Sequence, residues 1–523
     1  MRIGALREVV LNEARVAMTP ESAIKLQKLG HECLIQSGAG SRASFSDTDY
    51  ESAGVRVVAT ADQLWSESDI IIKVREPLAE ELADSPDGKT LISFITPSSN
   101  GALLEQMAGK RMTALALDMV PRISRAQKMD ALSSMANIAG YRSVIEACNH
   151  FDRFLMGQMT AAGKVPPARV LVVGAGVAGL SAIGTAVSLG AITLAFDVRP
   201  EVSEQIESMG AEFVFLEFDE LQADGAESGG YASPSSPEFA KQQIEKFLQL
   251  APSVDIVITT ALIPNRPAPL LWTADMVNLM RSGSVVVDLA AERGGNCELT
   301  VADEKIVTEN GVTIIGFTDF PSRMASQSSS LLATNIRHMI DDLTPQKDGA
   351  INVNIEDDVI RGSLVSHQGE VTWPPPPPKV SAIAAAKKSH TVVETAAEKS
   401  LREEAELKKS LNISGIGIII GSVLCLGLGT IAPSSFMQHL IVFVLSIYIG
   451  FHVIWGVAHS LHTPLMAITN AISSIIIVGA ILQIVSSSFL VVLLASISVF
   501  IASVNIFGGF LVTRRMLAMF QRR

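Results

Sequence analysis

Val170-Leu-Val-Val-Gly174-Ala-Gly176-Val-Ala-Gly179-Leu180 decides how this chain is read. Val170 to Val173 are four apolar, mostly β-branched residues, the pattern of a strand buried in a parallel sheet. They run directly into Gly174-Ala-Gly176-Val-Ala-Gly179, with the spacing G-x-G-x-x-G. A helix is predicted over Leu180–Leu189, with Gly190 placed to cap its C-terminus. A second strand is predicted over Ile192–Phe196, ending on Asp197.

Each residue type in that stretch has a mechanical reason. Gly174 permits the tight turn, Gly176 lets the backbone approach a pyrophosphate, and Gly179 allows close helix–strand packing. The helix N-terminus offers free N–H groups and a partial positive charge to phosphates. Asp197 lies 18 residues past Gly179, close to the roughly 20 expected of a carboxylate on the adenosine ribose hydroxyls. A carboxylate there repels a 2′-phosphate, so the pattern selects NAD over NADP. A glycine-rich βα turn without a ligand would need only the glycines. Strand, helix, second strand and acid together point to a dinucleotide.

The chain has 523 residues, too many for one domain, and a net charge of −12, which argues against nucleic acid as a partner. Cys33, Cys148, Cys297 and Cys425 are scattered without metal-ligand spacing, so no metal site is expected. Met1 to Glu8 carry no apolar signal core, which keeps the N-terminus in the cytoplasm. Composition then changes abruptly. From Ser410 through Thr513, 104 residues, there is no Asp, Glu, Lys or Arg. A soluble part is joined to a membrane part.

Residues 3–120 alternate short apolar runs with helical segments and predict another α/β domain. Thr19-Pro20-Glu21-Ser22 is a helix start, Ile70–Val74 a buried strand carrying Lys73, and Leu91–Ile95 a further strand. Arg15 and Lys73 either line a cleft or are paired structural cations; spacing alone does not choose. From Met119 to Asn137, polar side chains (Arg122, Gln127, Asp130 and Ser133 among them) interrupt an apolar helical pattern that runs to about His150. Such groups are solvated, paired, or used on a ligand, and Gln127, Asp130 and Ser133, spaced three apart, are predicted to fall on one helix face. Asp255–Leu262 and Val285–Leu289 read as later strands of the nucleotide fold. Ala223 to Pro237 is a Gly-, Ser- and Pro-rich loop with Tyr231 as its only aromatic, either an unstructured tip or a lid over bound nucleotide. Helix returns from about Ser328 to Leu343. Trp373 and the prolines to Pro378 then form a stiff segment, and Lys379–Lys409 reads as a tether.

Four apolar runs follow, Ile413–Ala432, Leu440–Ala458, Leu465–Val485 and Phe489–Val512. Each is long enough to span about 30 Å of hydrocarbon at about 1.5 Å rise per residue. Lys408 and Lys409 precede the first run and Arg514, Arg515, Arg522 and Arg523 follow the last, which places both termini in the cytoplasm. His439, His452, His459 and His462 are the only groups there that titrate near neutrality. They lie either on a proton path or at an interface where histidine is cheap.

With these pieces in place the sequence resembles the alpha subunits of bacterial proton-translocating NAD(P) transhydrogenases over nearly its whole length. The resemblance rests on Arg15-Val-Ala-Met-Thr-Pro20, Arg122-Ile-Ser-Arg-Ala-Gln-Lys-Met-Asp-Ala-Leu-Ser133, the glycine fingerprint, Gly229-Gly-Tyr-Ala232, Asp288-Leu-Ala-Ala-Glu-Arg-Gly-Gly-Asn296, the proline run, and His462-Thr-Pro-Leu-Met-Ala-Ile-Thr-Asn-Ala-Ile-Ser473. It implies NAD(H) bound on this chain and NADP(H) on a beta subunit. It implies Arg122, Gln127, Asp130 and Ser133 on the nicotinamide side and Tyr231 on a mobile loop. It also implies a nucleotide set of Gly174, Gly176, Val177, Gly179, Asp197, Val198, Arg199, Gly230 and Leu262. Further implications are a homodimer of the soluble part within an alpha2–beta2 complex, and a multi-pass place in the bacterial inner membrane, in contact with lipid.

The resulting expectation is an α/β protein with two Rossmann-like domains of the alanine-dehydrogenase kind, a tether and four transmembrane helices. Its parts are residues 1–125 plus about 328–370, the NAD-binding domain 126–327, the linker 371–411 and the membrane domain 412–523. The soluble part also resembles alanine dehydrogenase, which uses an arginine and a lysine, matched by Arg15 and Lys73, and a catalytic histidine. Here the corresponding strand ends Phe94-Ile-Thr96-Pro97 without one, and Glu292 stands where that enzyme has its aspartate. A membrane-anchored NAD-dependent amino-acid dehydrogenase would therefore lack its proton carrier. The remaining rival is an NAD-sensing regulatory subunit of a transporter.

Overall fold

The computed structural model describes residues 1–83, 85–216, 237–262, 267–376, 433–455 and 477–520. The chain divides into two compact units, Met1–Val392 and Val393–Arg523. The predicted loop 223–237 up to residue 236, with Gly230 and Tyr231, lies outside the described residues. So do the tether from 377 onward, the run Ile413–Ala432, and His459 and His462.

The first unit is built on two large sheets and one two-stranded sheet. Its strands are β1 (Arg2–Ala5), β2 (Glu32–Gln36), β3 (Arg56–Val58), β4 (Ile70–Ile72), β5 (Thr90–Ser93), β6 (Thr113–Ala116), β7 (Gln158–Thr160), β8 (Gly163–Val165), β9 (Arg169–Val173), β10 (Ile192–Phe196), β11 (Glu212–Phe213), β12 (Ile256–Thr259), β13 (Val285–Asp288), β14 (Lys305–Val307), β15 (Thr313–Ile315), β16 (Leu364–His367) and β17 (Glu370–Val371). The first sheet has the order β17-β16-β6-β5-β4-β1-β2-β3 and the second β11-β10-β9-β12-β13-β15-β14. β1 to β6 are parallel, as are all the second sheet's strands except β14, which runs antiparallel to β15. Both sheets therefore wind outward in both directions from their first strand, and each has a reversal point, between β1 and β4 and between β9 and β12. Ligand crevices of such sheets open there, beyond the carboxyl ends of the strands.

The strand sequences explain this burial. Ile70, Ile71 and Ile72 are fully buried and Val170 to Val173 nearly so, because helices cover both faces of each parallel sheet. The helix Pro20–Gln27 starts within the predicted Thr19–Ser22 segment, and Thr19 caps it in a reciprocal pair with Ser22. The predicted strand Ile192–Phe196 is found with those bounds. Two helices start a turn earlier than expected. The fingerprint helix spans Val177–Ser188 because Gly176 takes extended backbone and serves as its N-cap. The return helix spans Ala325–Leu343. Gly190 adopts φ +81° just past the fingerprint helix, the left-handed conformation that its C-capping role required.

Two helices cross at backbone contact. A Cβ added to Gly140, on the helix Ala131–His150, would lie 1.9 Å from the carbonyl oxygen of Ala178 on the fingerprint helix. Ser181 reinforces the crossing by donating its hydroxyl to the Asn137 carbonyl at 2.7 Å. On its other side, a Cβ at Gly179 would sit 1.7 Å from the Gly174 carbonyl oxygen.

The second unit contains the helices Ser434–Trp455 and Phe489–Phe520, on which parts of the second and fourth apolar runs fall. Ile441, Val442, Phe443, Val444 and Leu445 are consecutive and each more than half exposed, so the first of these helices is apolar on every side. Among the described residues no helix is long and apolar enough to cross a membrane.

Gly140→Ala should cost about 1–3 kcal/mol through overpacking, read as a fall of several degrees in Tm. An unchanged Tm would mean that the two helices separate without cost.

Candidate functional site

The fingerprint turn folds as its glycines demand. Gly174 has φ +103°, and its N–H donates to the Phe196 carbonyl at 2.7 Å, tying the turn to the end of β10. Among the described residues, a Cβ at Gly176 would meet nothing within 4 Å, so this side of the turn is open where the fingerprint helix begins. Gly179 is the opposite case, packed on Gly174. An open glycine at a twelve-residue helix's N-terminus, backed by a packed one, is a cradle of the shape and polarity that a pyrophosphate fits. Val177 and Leu262 flank it with part of their apolar surface exposed, while Val198 packs partly buried against the core.

Asp197 closes the crevice and is 8 % exposed. Its Oδ2 accepts the Ala175 N–H at 2.7 Å and the Arg199 Nη2 at 3.0 Å. Its Oδ1 accepts the Arg199 backbone N–H and Nε, both at 2.9 Å. The predicted acid thus stands against the fingerprint turn, already engaged by an arginine two residues on.

Two further residues hold the crevice and were not singled out from sequence. The Thr260 hydroxyl donates to the Gly174 carbonyl at 3.1 Å. Buried Asn296 accepts the Ala261 N–H at 3.0 Å and donates to the Ala261 carbonyl at 2.9 Å, fixing the chain just before Leu262. Their positions, Thr260 just past the carboxyl end of β12 and Asn296 in the segment after β13, were the signal available. Asp288 is fully buried and accepts from Ala290, Cys297, Thr259 and Thr300, so it holds its own loop together.

The interdomain polar segment departs from the expected single helix face. Ser124–Met129 is a 3₁₀ helix, and the α-helix begins only at Ala131. Asp130 is its N-cap, accepting the Ser133 N–H at 2.9 Å and the Ser133 hydroxyl at 2.6 Å. Gln127, Asp130 and Ser133 therefore do not share one α-helical face. The cap breaks the helical phase between Gln127 and Ser133. Arg122 and Gln127 are exposed, while Asp130 and Ser133 are half-buried. From the Gly140 crossing back to Asp130 is ten residues, roughly 15 Å of helix. The fingerprint and the polar segment are thus joined by a rigid element.

The reversal point of the first sheet is filled instead by the protein's own charges. Glu8, beyond β1, accepts the Val74 N–H at 2.6 Å beyond β4. Burial pushes its carboxyl up to about 7 against the pull of Lys73. Lys73 is fully buried and its Nζ donates to both Glu81 oxygens, at 2.6 and 2.8 Å. Arg15 holds Glu13 through Nε and Nη2. Burial raises the Glu13 carboxyl, but the Arg15 hydrogen bonds and the charges of Arg15 and Arg75 outweigh it and bring it to about 2. Arg15 and Lys73 are thus paired cations. Arg75 also reaches Glu292, 3.9 Å away in the 3₁₀ turn Ala291–Arg293 that follows β13. Thr96, beyond the end of β5, takes φ +49°, and Asp118 accepts both its N–H and that of Ile95 at 2.9 Å.

Comparison with known proteins adds three segments in succession. Residues 4–139 match the alanine dehydrogenase/PNT N-terminal domain, 143–374 the C-terminal domain of the same description, and 439–522 the 4TM region of pyridine nucleotide transhydrogenase. The chain is 65 % identical to the NAD(P) transhydrogenase subunit alpha of Cereibacter sphaeroides over 523 residues, all of both chains. A transhydrogenase structure from Sinorhizobium meliloti superposes with a TM-score of 0.64 at 40 % identity, covering 71 % of this chain and 100 % of that one. An L-alanine dehydrogenase structure does so with 0.59 at 26 %, covering 72 % and 97 %.

Glu8 yields a pH prediction. Its carboxyl titrates near 7 in the fold against 4.5 ordinarily, so the native state binds the extra proton between those values. Stability then falls as pH rises through that window, by at most on the order of 3 kcal/mol. Glu8→Gln, which imitates the protonated acid, should stabilise the protein at about pH 8 and match the parent near pH 4.5. Thermal unfolding at both pH values checks this; equal Tm values at the higher pH would count against it.

Proposed function

This chain belongs to the alanine dehydrogenase/pyridine nucleotide transhydrogenase family, and from that premise we propose how its parts serve the reaction. It is the NAD(H)-binding subunit of a proton-translocating NAD(P) transhydrogenase, which transfers hydride between NADH and NADP⁺ held by a beta subunit. The observation that carries the site assignment is the open Gly176 turn backed by Gly179 and closed by Asp197. In this reading Gly174, Gly176, Val177 and Gly179 hold the pyrophosphate, Asp197 with Val198 and Arg199 the adenosine ribose, and Leu262 flanks the crevice. Gly230 and Tyr231 belong to a loop that closes over it.

When bound, NAD(H) supplies or accepts the hydride. This chain's task is position, because direct hydride transfer needs no general base. Arg122 and Gln127 are exposed, which suits a role on the nicotinamide's carboxamide or ribose. Asp130 and Ser133 cap each other and fix the segment that carries them. The amino-acid dehydrogenase alternative is disfavoured by Glu13 on Arg15, Glu81 on Lys73, and threonine at position 96.

We assign the division of the first unit as 1–125 plus about 328–370 around the first sheet, and 126–327 around the second, supported by the strand order in which β16 and β17 return to the first sheet. The match to a 4TM region makes this a membrane protein. Four spans over 412–523, a tether over 371–411 and both termini in the cytoplasm of a bacterial inner membrane are our reading. Its support is the charge-free stretch with basic flanks and the apolar side chains exposed all around the helix Ser434–Trp455. A homodimer of the soluble part in an alpha2–beta2 complex is likewise proposed. One charge crossing about 100 mV is worth about 2.3 kcal/mol. That shifts the nucleotide ratio about 50-fold, at about 1.36 kcal/mol per decade.

Reconstitution with the beta subunit in sealed vesicles should give NADH-dependent reduction of NADP⁺ together with a change in internal pH. NADH binding without hydride transfer under those conditions would make the chain a sensor instead. Gln127→Ala should slow single-turnover transfer at least about tenfold at saturating NADH and change NADH affinity only a few-fold. Asp130→Asn keeps an acceptor for the Ser133 N–H, so its Tm should stay near the parent's while transfer slows comparably. Loss of Tm and affinity together, with the saturated rate preserved, would reduce both residues to structural pins.

A further inference from the structure

We propose that Asn335 is a positioning residue for hydride transfer: its buried amide holds the backbone of the segment that carries Gln127 and Asp130. The inference rests on that segment facing the nicotinamide.

Asn335 interrupts an apolar stripe. Leu332, Ile336, Met339 and Leu343 pack the helix Ala325–Leu343 into the core of the first sheet, together with Ala126 and Met129 of the 3₁₀ segment. Asn335 stands among them at helical spacing and is 6 % exposed. Its Nδ2 donates to the Lys128 carbonyl at 3.0 Å, across 207 residues of chain. That carbonyl is available for a reason of backbone geometry. In an unbroken α-helix it would accept the N–H of Leu132. Asp130 instead ends the 3₁₀ helix and caps a new α-helix, so the ladder is interrupted where Gln127 and Asp130 sit. A carbonyl at such a break needs a donor from elsewhere. The structure supplies Asn335.

The other ties on this segment are of a different kind. Lys128 pairs with Asp342 at 2.6 Å, and Arg125 with Asp342 and Asp357, but both cations are more than a third exposed. Ion pairs in water are weak and hold long side chains loosely. Asn335 acts on the main chain itself, one residue from Gln127 and two from Asp130. Its presence also costs the fold something. Among the described residues its Oδ1 is buried without a hydrogen-bond partner, and a buried acceptor left unpaired destabilises. Leucine, branched in the same way, would complete the stripe without that cost. An amide that the core does not need, bonded to the break beside Gln127, fits a task of position.

The test uses the full chain in detergent for amide hydrogen exchange, melting and NADH titration. The same chain, reconstituted with the beta subunit, gives single-turnover transfer at saturating NADH. Without nucleotide, Asn335→Leu should raise exchange over residues 124–133 at least about fivefold while the rest of the first sheet exchanges as in the parent. Its Tm should stay at or above the parent's and its NADH affinity within about threefold, while transfer slows at least about tenfold through misplacement of the ring. Asp342→Asn, which removes the exposed ion pair of Lys128, should leave exchange, affinity and transfer near parental values. Should Asn335→Leu overpack and melt early, Asn335→Ala removes both ends of the amide without bulk and serves in its place. Parental exchange over 124–133, or faster exchange with transfer at the parental rate, overturns the role of Asn335. Faster exchange spread over the whole first sheet in both variants does so as well, as does an equal response to Asp342→Asn. Gln127→Ala in the same assay separates the two readings. If it slows transfer and the Asn335 variants do not, only this proposal falls. If it too leaves transfer unchanged, the segment is not on the nicotinamide and both fall.

Discussion

The fingerprint helix is pressed by backbone on two sides, and the rest of the site depends on that. Gly179 leaves no room for a Cβ against the Gly174 carbonyl, and Gly140 leaves none against the Ala178 carbonyl. The first contact sets the helix N-terminus beside the open fingerprint turn. The second locks it to the helix whose N-cap is Asp130. Side chains at either position would push the elements apart and misplace both ends. Because hydride transfer depends on where two rings lie, such contacts matter more here than any acid or base.

The two sheets share one winding and put it to different uses. In the second, the reversal point between β9 and β12 is left open at Gly176, with Asp197 at its edge. In the first, the corresponding crevice between β1 and β4 is closed by Glu8 on the Val74 N–H, Glu81 on Lys73 and Glu13 on Arg15. These internal carboxylates take up Arg15 and Lys73, which spacing alone left as candidate cleft residues. The fold alone therefore does not say which crevice carries function; the side chains filling it do. Arg75, shared between Glu13 and Glu292, links the filled crevice to the loop after β13.

Much was legible from residues alone because it depends on local rules. The β-branched run before Gly174, the strand Ile192–Phe196, Gly190 past the helix and the Thr19 cap each follow from backbone sterics or from a hydrogen bond within four residues. The charge-free stretch from Ser410 to Thr513 needs no fold at all to be recognised. Asp197 was legible because its distance from the glycines is set by one βαβ unit.

What only the structure decided is which of several available partners each polar group takes. Polar residues at helical spacing suggested one face for Gln127, Asp130 and Ser133. Asp130 instead spends its carboxylate on the Ser133 N–H and restarts the helix, a choice that spacing cannot reveal. Whether Arg15 and Lys73 were ligand-binding or paired depended on where Glu13 and Glu81 fold back to. Thr260 and Asn296 reach the crevice across 86 and 35 residues of chain. Sequence determines what each segment is able to form, because local sterics and hydrogen bonds act within a few residues. The assembled fold determines which of the two similarly placed crevices is filled by the protein's own side chains, because a buried charge takes whichever opposite charge the packing brings within reach.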